Sequence, residues 1–75
     1  MEEIFIRDDM IRLGQFLKLA GLAEHGAHAK ELLEAGEVQV DGRVETRRGA
    51  QLRSGAVVAV HGRRARPVVS QWPVP

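Results

Sequence analysis

The sequence predicts an α/β (α+β) fold, with two packed N-terminal helices against a small, mainly antiparallel sheet. Three observations predict it. Apolar residues recur at helical spacing before Gly36 and alternate after it. Asp41-Gly42 and His61-Gly62-Arg63 punctuate the alternating half as turns. Finally, the 75 residues include no cysteine, so neither disulfides nor a thiolate metal cluster can supply stability. A chain this short buries a modest share of its surface, and helix–sheet packing must hold it. Its 44% hydrophobic content suits a folded chain.

Residues 3–6, EIFI, read as a short strand. Asp8 and Asp9 then offer N-cap oxygens to a helix running to about residue 20. In it Leu13, Phe16, Leu17 and Ala20 form one apolar stripe, and Gly21 is the stop. A second helix fits 26–35, GAHAKELLEA, with Ala29, Leu32 and Leu33 facing the first. Lys30 and Glu34 form its outer i,i+4 pair in the less favourable order, and Gly36 ends it. Val38 and Val40 share a strand face before the Asp41-Gly42 hairpin turn. A two-residue turn pairs Arg43 with Val40, and the return strand is expected to be very short. The stretch ETRRGAQ reads as an exposed crossing loop, and LRSG as a segment ending in a turn. AVVAV, 56–60, is apolar enough for a central strand, and RARPVV, 64–69, returns beside it. Pro67 lacks a donor, which predicts an edge position. The tail 70–75, SQWPVP, with two prolines, reads as flexible.

Net charge is only +1, but its distribution is uneven. Residues 1–41 carry four basic and nine acidic side chains, and residues 42–75 carry seven arginines and one acid, Glu45. Such asymmetry points to a polyanionic partner. The acidic N-terminus lacks a signal-peptide core, and no run approaches the roughly 18 apolar residues of a membrane span. A cytoplasmic protein without membrane attachment is expected.

Catalysis is not expected. Ser54 and Ser70 have no histidine at motif spacing, and the carboxylates fall on helix exteriors or at caps. His25, His28 and His61 fix no third ligand by local spacing, so neither a metal nor another cofactor is expected. The glycines sit at helix ends and turns and form no phosphate-cradling motif. A sulfur-carrier role, which needs a terminal Gly-Gly, is not expected of a sequence ending in Val-Pro.

What remains are Arg43, Arg47, Arg48 and Arg53, clustered around a hairpin that follows a helix–turn–helix pair. Their bland reading is a solvated edge that resists aggregation. Their functional reading is RNA contact, because guanidinium groups match phosphate oxygens bidentately. With Phe5, Phe16 and Trp72 as the only aromatics, recognition of backbone and shape is favoured over a base-stacking platform.

From about Arg12 to Val60 the chain resembles the RNA-binding domain named for the fourth small-subunit ribosomal protein, the alpha-L motif. The matching segments are Arg12-Leu13, Gly21, AHAKELLEAG at 27–36, VQVDG at 38–42 and LRSGAVVAV at 52–60. The string AKELLEAGEVQVDGRVETRRG is most similar to the stand-alone bacterial YbcJ-like group. The resemblance implies two helices on a small twisted sheet, with residues 1–69 as a single RNA-binding domain. It also implies RNA contact from the second helix and the hairpin side. Arg12, Lys18, Lys30, Arg43, Arg47, Arg48 and Arg53 are the expected RNA-binding residues. The expected partner is structured RNA, ribosomal or transfer, with the ribosome as its setting and the chain acting as a monomer. Where many members have Ser-Arg or Thr-Arg at the second helix start, this chain has His25-Gly26; Gly55-Ala56 replaces Gly-Asp, and Asp41 replaces the frequent Asn. The competing reading is a ribosome-associated protein-interaction adaptor using the acidic helices or the Trp72 tail.

Overall fold

In the structure, a computed structural model that describes residues 1–69, two strands precede the helices. These are β1 (Glu2–Ile6) and β2 (Met10–Arg12). They are followed by α1 (Leu13–Leu19), α2 (Gly26–Glu34), β3 (Val38–Val40) and β4 (Arg43–Val44). The chain then forms β5 (Gln51–Arg53), β6 (Val58–Val60) and β7 (Arg63–Val69). A five-stranded sheet has the order β1-β7-β6-β3-β4, and β2 and β5 form a separate antiparallel ribbon. The larger sheet is mixed: β1 runs parallel to β7 and its other pairings are antiparallel. No helix of the described residues is long and apolar enough to cross a membrane.

The helices are therefore not N-terminal, and the first starts later than Asp8 and Asp9 imply. Residues 10–12 are drawn into the ribbon with β5, with Met10 opposite Arg53 and Arg12 opposite Gln51. The cap of α1 is Arg12, whose side chain makes no capping bond. The first helical N–H groups, which have no partner inside the helix, donate instead to a distant loop. Leu13 N reaches Ala50 O at 2.8 Å and Gly14 N reaches Arg48 O at 2.9 Å. The segment around residue 52 is correspondingly a strand rather than only the approach to a turn.

Pro67 is also not at an edge, since β7 lies between β1 and β6. It is tolerated because β6 begins only at Val58, so the β6–β7 ladder reaches no further along β7 than Ala65. A strand residue's N and C=O point to the same side, and Pro67 O accepts from Gly55 N at 2.7 Å. Its missing donor thus faces the turn beyond β6, where no ladder bond is lost.

The apolar stripe of α1 is the centre of the core. Leu13, Phe16 and Leu17 are fully buried, together with Ala29, Leu32 and Leu33 of α2 and with Val38, Leu52, Val58, Val60 and Ala65. The Asp41-Gly42 turn forms as expected, with φ of +52° and +84°, the type I′ geometry that matches strand twist. Val40 pairs with Arg43 across it. Asp41 does more than turn the chain. Its N donates to Val57 O at 2.8 Å and its Oδ1 accepts from Val57 N at 2.9 Å, tying the hairpin to the entry of β6.

The parallel β1–β7 pairing also consumes charge. Arg63 lies 3.5 Å from Glu2, and Arg66 pairs with Glu3. The asymmetry along the sequence is thus partly cancelled in space. Trp72 and the rest of the expected tail lie outside the described residues.

Candidate nucleic-acid interface

The loop between β4 and β5 is fastened at both ends. At its start the Glu45 carboxylate accepts from Thr46 N and Arg47 N, both at 3.0 Å. Arg47 adds a two-pronged contact, Nε to Oε2 at 3.1 Å and Nη2 to Oε1 at 3.3 Å. The hydrogen bond from the Arg47 side chain, followed by that from its backbone, lowers the Glu45 carboxyl to about 2. The same contact raises the Arg47 guanidinium. At the far end the loop carbonyls face α1, and Arg12 Nη1 donates to Gly49 O at 2.8 Å.

This fastening lays Arg48 across α1. A Cβ on Gly14 would collide with Arg48 Cγ, and Arg48 O lies 3.4 Å from the same point. Glycine is therefore favoured here by close approach, not by its backbone angles. Arg48 forms one wall of an open groove of about 380 Å³ whose other walls include Arg12, Gln15, Lys18 and Gly26. No carboxylate of the described residues lines it. On its other side Arg48 shares a smaller hollow of about 240 Å³ with Lys30, Thr46 and Glu34. The two hollows meet at Arg48, and the face they form carries four cations, Arg12, Lys18, Arg48 and Lys30, with one carboxylate, Glu34.

Gly26 brings the start of α2 to this face. His25 caps that helix, its Nδ1 accepting from His28 N at 3.2 Å. His28 Nδ1 in turn accepts from Glu24 N at 2.9 Å. Each ring therefore carries its hydrogen on Nε2 when neutral. His25 fills the capping role of the Ser or Thr expected from the family pattern, while Gly26 supplies no side-chain cation. His61 sits in the turn before β7 and pairs with Glu37. No three potential metal ligands cluster among the described residues.

The remaining expected residues lie apart from this face. Arg43 is exposed on β4, the outermost strand opposite Val40. Arg53 is exposed in the ribbon opposite Met10. Arg47 projects outward, its side chain 78% exposed and held by Glu45. Neither groove is lined by any of the three. Sequence reasoning missed Gly14, Glu45 and the capping role of His25. A glycine inside a helical apolar pattern was a usable sign of a packing constraint; the other two had no local sign.

The S4 domain family matches residues 4–67 of the chain. RlbA of Bacillus subtilis (strain 168), provisionally named for ribosome maturation, is 46% identical over 59 residues, covering 79% of this chain and 83% of the relative. YbcJ of Escherichia coli (strain K12), provisionally named for RNA binding, is 42% identical over 52 residues, covering 69% and 74% respectively. YbcJ of Shigella flexneri is similar to the same extent. With its two helices, mixed sheet and this span of shared sequence, the chain belongs to the S4 domain family.

Proposed function

We propose that residues 1–69 act as a single non-enzymatic module that binds structured RNA in the cytoplasm, as a monomer. The observation that carries this reading is that Arg12, Lys18, Arg48 and Lys30 line two hollows joined at Arg48, on a fastened loop and two packed helices. Cations on rigid elements suit a polyanion whose phosphates have fixed spacing. A phosphate in the larger groove would also lie beside Gly26, at the positive end of α2. Recognition is then of backbone and shape, and Arg43, Arg47 and Arg53, which line neither groove, lie outside the main phosphate contacts. The relative provisionally named for ribosome maturation favours ribosomal over transfer RNA as the target.

Ultraviolet crosslinking in cells, followed by sequencing of the attached RNA, tests the reading and names the target. Crosslinks should map to the α1 start, α2 and residues 45–50, on ribosomal RNA. A protein partner retained after nuclease digestion, with no RNA crosslinked, would support the adaptor reading instead.

A further inference from the structure

A second groove, of about 480 Å³, shares Arg12 and Gln15 with the cationic one and adds large apolar side chains to its walls. Phe5, Met10, Ile11 and Leu19 contribute apolar walls, with Arg7 and Asp8 at its side. Phe5 is 68% exposed and Leu19 55% exposed. The exposure of Phe5 follows from strand alternation: Ile6 turns to the interior, so its neighbour on β1 must face out. Leu19 projects outside the buried stripe of α1. Arg12 and Gln15 line both grooves. A groove rich in cations and a groove with large apolar side chains therefore share a wall.

We infer that the apolar groove seats an unpaired nucleobase of the RNA whose phosphates occupy the Arg12–Lys18–Arg48 groove. The inference rests on the RNA-binding reading and adds a subsite to it. A nucleotide joins a flat apolar ring to an anion through one sugar, which is the pairing that two grooves with a common wall require. Unstacked bases regain contact by stacking on aromatic side chains, and this contact tolerates different bases. Phe5, 68% exposed, is the aromatic ring that lines this groove. Charge favours nucleic acid over a protein segment: Arg7, Arg12, Lys18 and Arg48 line the two grooves against the single acid Asp8. The module would therefore prefer a helix ending in, or interrupted by, an unpaired nucleotide.

The test uses the full chain and two RNA hairpins. One carries a single unpaired 2-aminopurine nucleotide at its 3′ end, and the other has the same nucleotide without its base. The wild-type protein should bind the first tighter, by roughly 5- to 100-fold given the usual worth of base–aromatic stacking, and should quench its fluorescence. Phe5→Ala should lose both the preference and the quenching, yet bind the abasic hairpin and melt as wild type does. Phe5→Trp should keep both. Equal wild-type affinity for the two hairpins, or a preference that survives Phe5→Ala, would overturn the subsite while leaving the cationic face intact. Failure to bind either hairpin would overturn the RNA reading and the subsite with it. An acidic amphipathic peptide that shifts the Phe5 and Leu19 resonances when the hairpin does not would assign the groove to a protein, also overturning the inference.

Discussion

Arg48 lies across Gly14 so closely that a Cβ at residue 14 would collide with the arginine's Cγ. The hydrogen bonds that hold the β4–β5 loop on α1 bring the two this close, and Arg48 forms a wall of the cationic groove. Alanine is ordinarily better than glycine in a helix by about 1 kcal/mol. Gly14→Ala should nonetheless destabilise the protein, by roughly 1–3 kcal/mol, because overpacking outweighs propensity. Thermal unfolding of Gly14→Ala, Arg48→Ala and the double variant checks this. The double variant should recover most of the loss, since the collision needs both side chains.

The Glu45–Arg47 contact predicts a pH dependence with a definite sign. The folded carboxyl lies at about 2, below its ordinary 4.5. Its contribution to stability is therefore complete above 4.5 and is lost as pH falls from there through about 2. Carboxyl-carbon NMR should show Glu45 titrating at the acidic end of that range. The difference in melting temperature between wild type and Glu45→Gln should be constant above pH 4.5 and shrink below it.

Capping of α2 rests on the His25 ring. His25→Ala should cost about 1 kcal/mol, the usual loss for an N-cap. His25→Ser should keep most of that stability, because a serine oxygen can accept from His28 N in the same place. Urea unfolding of the three proteins measures the difference, with the slope unchanged if only stability is altered.

The parts of the fold legible in the sequence are those fixed by neighbours along the chain. Leu13, Phe16, Leu17 and Ala20 reveal α1 by spacing alone, and Asp41-Gly42 reveals a hairpin by the backbone angles it tolerates. The start of α1 was not legible, because residues 10–12 pair with 51–53 and the helix's free N–H groups are met by Ala50 and Arg48. Both are consequences of tertiary folding. Pro67 misled for the same reason: its missing donor matters only where a partner strand lies opposite, and β6 does not extend that far. In the site, Arg12 and Arg48 could be named as cations, but their convergence depends on the path of the loop. Arg43 and Arg53 are close to Arg48 in sequence and lie off its face because strand pairing carries them elsewhere.

The central claim is that phosphates lie along Arg12, Lys18, Arg48 and Lys30. The direct measurement is affinity for a structured RNA hairpin as a function of salt. If each of the four neutralises one phosphate, log affinity should fall with log salt at a slope of roughly 3 to 4 in magnitude. Replacing Lys18 and Lys30 together by glutamine should lower that magnitude by about 2, with folding unchanged. The paired change Arg43→Gln and Arg53→Gln should leave it nearly as it was. A slope that survives loss of both lysines but falls with loss of Arg43 and Arg53 would contradict the account and move the RNA to the sheet edge.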